Sequence, residues 1–455
     1  MLNQKHLHWV LLAAMGFSLV GCGDAETNIT EKDPIIDEDD DHDHGDDHEG
    51  HGRLVVTNNL TQEALVYDLE DGSMLDAFAL GSAPSAVYGS ASYRYAVLVN
   101  RDGDEVNFLD GGLWQEDHVD HLHDYEEAPV MLDYSLTGSR PTHVVNHEDQ
   151  LAIFYDGDSA TATPASISVV TDMDITDENE TPASIDFATN MHGVAEPRGE
   201  HLLASWRRDD AETTSGNPVL PDQVAVYHLH DGEYEQEQIL DVACPDLHGA
   251  AQNEDFVIFG CSDGVLLAHE HEGEYEAEKI LNSEDVAEGL RIGSIYGHEE
   301  SGQFIGMASA HGGASVQWFS IDPAEGEMEL IDWQPMENAT VVGRAFGFEA
   351  EQFLILDSEG YLTALEPHDH DGHTHWEFGV RLDISEEDVS AMPEGMNFTM
   401  TVAQNGHMAF IADPIAQHIL MVDLDLMEVV GDIELAYSPA TVTWLGIAEA
   451  HEHGE

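Results

Sequence analysis

The sequence predicts an all-β chain folded as a β-propeller, with eight four-stranded blades and the C-terminal strand closing the first blade. Three observations lead there. Short β-rich runs bounded by Gly, Asp and Asn recur along the chain, among them residues 53–57, 95–99, 151–155, 256–260 and 353–357, and no long stretch keeps a 3.6-residue apolar period. The runs repeat about every 45–55 residues, the signature of a repeat architecture. Residues 53–80 supply only three strands and residues 440–446 only one, so the two pieces complete each other and leave no free sheet edge.

Each repeat follows one scheme. A strand of small residues, opened by or containing His, comes first, as in residues 142–145, 192–195 and 248–251. A strongly apolar strand follows, then a third strand and a more polar fourth. Small residues crowding the innermost strand suit the narrow axis of a propeller. Repeats begin near Pro84, Pro141, His192, His248, Gly293, Arg344 and Asn397. Seven blades is the alternative count. The sequence carries no WD signature, no Gly-rich phosphate loop, no Gly-x-Ser-x-Gly elbow and no Cys-x-x-Cys.

The termini read differently. Lys5 precedes an apolar run, Trp9 to Val20, which ends in Leu19-Val20-Gly21-Cys22. This pattern reads as a lipoprotein signal peptide over residues 1–21, and it resembles a bacterial lipobox, which implies lipidation at Cys22. The mature chain is then expected to be exported and anchored to a bacterial membrane, facing the periplasm or the cell exterior. Residues 22–52 form an acidic, His/Asp-rich tether with too few apolar side chains to bury a core. The propeller is expected over residues 53–448, with a His-bearing polar tail at 449–455.

Charge narrows the partners. Thirteen Lys and Arg stand against 92 Asp and Glu, a formal net charge of -79. Such a surface repels nucleic acid and attracts cations, although adaptation to salty water accounts for it equally well. Cys244 and Cys261 remain once Cys22 is set aside. On the exported side, and on what read as adjacent strands of one blade, they favour a disulfide over a two-thiolate metal site.

Histidine carries the chemistry, with 28 residues in clusters. Imidazole is the commonest metal ligand, and Asp and Glu add oxygen donors beside it. The tether holds His42, His44, His48 and His51 among carboxylates, a set that would capture metal quickly and exchange it quickly. In the second blade, His118, His121 and His123 with Asp124 supply most of a tetrahedral zinc site, and His143 and His147 are candidates for a further ligand or an orienting partner. His143, His192 and His248 each open the inner strand of a successive blade, so they are channel-lining candidates; a purely structural role for buried imidazoles is the competing reading. His368, His370, His373 and His375 read as a loop insertion in the seventh blade, and with His451 and His453 as exposed weak sites. His228, His230, His269 and His271 read as strand residues with exposed rings.

The ordered set of residues 140–145, 191–195, 244–249 and 259–267, with His118, His121, His123 and the His/Asp-rich N-terminus, resembles the AztD-type zinc metallochaperones of bacteria. The resemblance spans essentially residues 40–448. It implies a periplasmic β-propeller that binds Zn²⁺ and passes it to the zinc-binding solute-binding protein of an ABC importer, with His118, His121, His123 and the tether histidines as ligands and Cys244 and Cys261 as the family's paired cysteines. Lipidation, the acidity and the 368–375 insertion depart from that pattern. A non-enzymatic metal carrier is the preferred function. The alternatives are a zinc-dependent propeller enzyme, with Glu126 or Asp124 as its base, and a lipid-anchored surface scaffold that binds metal incidentally.

Overall fold

A computed structural model describes residues 51–118, 122–208, 220–271, 273–310, 316–370, 372–385 and 387–449. Signal segment 1–21, Cys22, His42, His44, His48, His121, His451 and His453 lie outside the described residues. The chain forms eight four-stranded antiparallel sheets arranged as the blades of a propeller. Among the described residues helix is confined to short pieces such as Asp172–Thr176, and no described helix is long and apolar enough to cross a membrane.

Ring closure follows the expected three-plus-one scheme. Thr441–Leu445 pairs antiparallel with Arg53–Asn58, which pairs with Glu63–Asp68 and that with Met74–Ala79. The C-terminal strand is therefore the innermost strand of blade 1. Trp444 is 1% exposed on it, and Thr441 shares a 2.7 Å hydroxyl contact with Thr57. Blades 2 to 8 follow in chain order, each running from the axis outward, and their inner strands begin at or within a few residues of the expected starts.

The burial pattern explains why the second strands read as unbroken apolar runs. Blades pack face to face, so the middle strands are covered on both sides and both faces select apolar side chains. Val257–Cys261 and Phe353–Asp357 are buried at every residue. Outermost strands such as Glu233–Ile239 are largely exposed and rich in Glu.

Blade topology also fixes two ends. Connections between strands one and two, and between three and four, lie at one end. Connections between two and three, and the crossings to the next blade, lie at the other. Arg53 confirms the first end, since it reaches from the start of its strand to the Gly111 and Glu127 carbonyls and to Glu126 at 3.1 Å. His51 lies at this end too, its carbonyl accepting from Asn405 Nδ2 at 3.0 Å in the first connection of blade 8. The tether thus joins the propeller at the end that carries the strand-three-to-four hairpins.

Two elements differ in kind from the sequence reading. The second-blade histidine cluster is a β-hairpin, Leu113–Asp117 paired with Leu122–Glu126, inserted before that blade's outer strand Val130–Thr137. The 368–375 segment is an extension of the two outer strands of blade 7, with His368 opposite His375 and His370 opposite His373. Alternating histidine, carboxylate and Thr carries no apolar strand signal, yet ladder hydrogen bonds do not require apolar side chains, and the segment pairs as strand.

Candidate metal centre

Three imidazoles meet at the crossing end of the channel. His143 sits near the start of the inner strand of blade 3, Pro141–His147. His192 and His248 stand three and two residues ahead of the inner strands Ala195–Arg198 and Ala250–Gln252, in the segments that cross from the previous blade, rather than opening those strands as expected. Two crossing segments and one inner strand, from three successive blades, bring the rings together. Ring centroids lie 4.9 Å apart for His143 and His192, 4.9 Å for His192 and His248, and 6.1 Å for His143 and His248.

Glycine follows two of these histidines for a packing reason. A Cβ at position 193 would stand 2.3 Å from Ser205 Oγ and 2.4 Å from the Phe154 ring. A Cβ at position 249 would stand 2.7 Å from the Gly293 carbonyl oxygen. The His-Gly pair therefore lets the crossing segment lie flat against its neighbours while the imidazole turns to the axis.

Hydrogen bonds orient two of the three rings. His192 Nδ1 lies 3.0 Å from Asp156 Oδ2, and His248 Nδ1 lies 2.8 Å from the Gly293 carbonyl. A carboxylate and a carbonyl both accept, so each Nδ1 carries the proton and each Nε2 presents a lone pair. An imidazole that donates through Nδ1 and ligates through Nε2 is the arrangement metal sites use. Asp156 also accepts from Arg101 at 2.9 Å. Burial opposes its ionisation, but His192 and Arg101 hold its pKa below the ordinary carboxylate value. Burial, with the neighbouring His192 and His248, pushes the His143 pKa down to about 3, so that ring is neutral at physiological pH. Neutral donors suit a divalent ion.

The other expected ligands lie elsewhere. His147 is at the far end of the same strand as His143, with Nδ1 3.5 Å from Glu299 Oε1; burial, with the Arg198 charge next, lowers its pKa to about 4. In the second-blade hairpin, His118 and His123 approach each other, with centroids 5.5 Å apart, and the His118 Nε2 is 3.2 Å from the Tyr125 hydroxyl and 3.7 Å from Glu116. Asp124 is a neighbour in sequence but alternates to the opposite face, where it accepts from Gln115. Glu116, opposite His123 in the ladder, takes the place sequence proximity gave to Asp124. Glu126 ion-pairs with Arg53 instead of standing beside the histidines as a base. The hairpin shares its end of the propeller with the tether; the triad occupies the other end. His143 thus belongs to the crossing end of the channel and not to the hairpin, while His147, at the other end of that inner strand, meets Glu299 instead of the hairpin histidines.

Cys244 and Cys261 form a disulfide, with Cα atoms 4.9 Å apart and both residues fully buried in the core of blades 4 and 5. The pairing leaves no thiolate there for a metal.

No family model matches the chain. A curated protein from Citrobacter koseri, the zinc chaperone AztD, is 27% identical over 216 residues, 47% of this chain and 47% of that protein. The matched segment thus spans about half of that relative. The crystal structure of Citrobacter koseri AztD superposes with a TM-score of 0.70 at 20% identity, covering 88% of this chain and 99% of the other, and its apo form with a TM-score of 0.68 at 19% identity over the same shares. The chain is similar to AztD. That likeness, expected from the ordered motifs, extends over the propeller. The dihydro-heme d1 dehydrogenase NirN shares the fold more loosely, with a TM-score of 0.55 at 10% identity over 91% of this chain and 79% of that one.

Three features escaped the sequence reading. Asp156 is far from the histidines in sequence, and the carbonyl of Gly293 is invisible to residue-type reasoning. Glu116 required the hairpin register. The His-Gly repetition at 192 and 248 was the legible signal for a shared position.

Proposed function

We propose that this chain is a zinc carrier of the AztD type, which captures Zn²⁺ at its His/Asp-rich end and holds it at the crossing end of the channel. One observation carries the reading: the convergence of His143, His192 and His248 with two of the three rings already oriented through Nδ1. Three imidazole nitrogen donors fit the preference of zinc, and they leave a position through which a ligand of an acceptor can enter during exchange. The likeness to a protein named as a zinc chaperone supports the choice of metal and of role.

In this reading the tether and the hairpin histidines raise the local zinc concentration, and the triad holds the ion more tightly. The acceptor is the zinc-binding solute-binding protein of an ABC importer. The chain works after export, anchored through Cys22 on a membrane facing the periplasm or exterior. Binding by neutral imidazoles makes zinc retention pH dependent, because protons compete for the same nitrogens.

Competitive zinc titration of the full chain and of the H143A/H192A and H118A/H123A variants tests this. The first variant is expected to lose the tightest site, and the second to keep it. Unchanged tight binding in the H143A/H192A variant would remove the triad from the proposal. Transfer is read by incubating the loaded chain with the purified solute-binding protein and assaying zinc in each after separation; metal left on the donor refutes delivery.

A further inference from the structure

Outside the channel, blade 4 carries a second imidazole cluster, built by strand register. His201 opens the second strand, His201–Trp206, and pairs directly with His228 on the third, Gln223–His230. Side chains two apart on a strand share a face, so His230 joins them. The His201 and His228 rings stack at 4.7 Å with 21° between planes, and His228 and His230 meet edge to face at 4.2 Å. The outer strand Glu233–Ile239 adds Glu237, the residue left over where the ladder shifts register against Val226 and Tyr227. Its Oε1 lies 3.4 Å from His228 Nδ1 and 4.0 Å from His230 Nε2.

We infer that His201, His228, His230 and Glu237 form a second binding site for a zinc-class divalent ion. Donor atoms of His201, His228 and Glu237 all lie within 4.8 Å of one another. Donors about 2.0–2.1 Å from a shared tetrahedral zinc stand roughly 3.4 Å apart, so closure needs side-chain adjustment only. The ladder fixes the Cα positions, and the buried Tyr275 of blade 5 walls the cluster by packing edge-on to His201 at 5.3 Å. A shared cation would be met by the stacked imidazoles and the carboxylate together. Glu200, 3.6 Å from His228 Nε2, adds negative charge from the rim. The side chain of His228 is 22% exposed and that of His230 50%, so an ion can enter from solvent. By blade topology the cluster lies at the end where the tether attaches, away from the triad. It therefore stands independently of the channel site.

Histidine-selective acylation of the full chain, mapped by mass spectrometry with and without zinc, tests the inference at residue level. Zinc is expected to protect His201, His228 and His230 together, and the E237Q variant to lose much of that protection while its circular dichroism is unchanged. Magnesium at equal concentration is expected to protect none of them, because imidazole sites discriminate against it. Zinc-independent acylation of all three, or equal protection by magnesium, would overturn the site and reduce the cluster to ion pairing on an acidic surface. Running the same map on H143A/H192A separates the two loci: protection at blade 4 is expected to persist there.

Discussion

The Nε2 atoms of His143 and His192 lie 3.2 Å apart across the boundary between blades 3 and 4. Asp156 fixes the His192 proton on Nδ1, so the His192 Nε2 is an acceptor. Without metal, His143 satisfies it by donating from its own Nε2. For His143 to hold the proposed zinc through the same nitrogen, its ring would take the other tautomer, with the proton on Nδ1 and the Nε2 lone pair turned to the ion. The two nitrogens that share this hydrogen bond are those that would hold the proposed ion.

Asp156 is therefore the group that presets the His192 tautomer. The D156N substitution keeps the volume but removes the charge. Zinc affinity of the tight site is expected to fall about 10–100-fold, as read by competition titration, with the thermal unfolding profile still cooperative. An unchanged affinity would show that Arg101 and Asp156 serve packing alone.

Glu196 on the inner strand of blade 4 is 1% exposed and accepts from Gln252 Nε2 at 3.1 Å. Burial raises its pKa from 4.5 to about 8, with Gln252 opposing. The folded state holds a proton that the unfolded chain releases above pH 4.5, so this group's contribution is full below that value and is lost as pH rises through about 8. E196Q is expected to flatten the loss of stability between pH 4.5 and about 8, gaining on the order of a few kcal/mol at pH 8 relative to wild type. Denaturant unfolding at pH 5 and pH 8 checks the sign; equal slopes in the two proteins would contradict it.

The Cys244–Cys261 disulfide closes a short loop, with a sequence separation of 17, inside the core shared by blades 4 and 5. Replacing both cysteines by Ser is expected to cost about 3 kcal/mol from the lost chain constraint alone, plus the burial of two hydroxyls. Chemical denaturation of oxidised and variant chains reads the difference. Tight zinc binding is expected to survive, because the triad draws on no sulfur.

Ring closure rests on one short strand. Trp444 is buried between the inner strands that meet there, and its truncation to Ala is expected to cost about 3–5 kcal/mol. Deleting residues 441–455 should be far more damaging, since it exposes the edge of Arg53–Asn58 along with the core beneath it. A shift to aggregated species on gel filtration, relative to the full chain, would register that exposure.

Much of the architecture was legible because propeller blades are set by local signals. Turn residues and two-sided burial mark each repeat, and an incomplete first repeat facing an orphan last strand announces ring closure. The disulfide was readable from the two cysteines left in the propeller, although the structure places Cys244 in the segment that crosses into blade 5, and not on a strand adjacent to Val257–Cys261, which ends in Cys261. Residue adjacency misled where register decides. Asp124 is next to His123 in the chain and on the other face of the hairpin, while Glu116 is distant and directly opposite.

The sequence by itself determined the all-β repeat, the closure, the paired cysteines and the clustering of histidine, since each depends on composition or period within one or two strands. Only the tertiary structure decided which histidines share a site. Three blades must pack around one axis before His143, His192 and His248 can meet, and a blade-spanning carboxylate such as Asp156 acquires its role only from that packing. Register did the same within blade 4, placing His201 across from His228, 27 positions away, where no local pattern connects them.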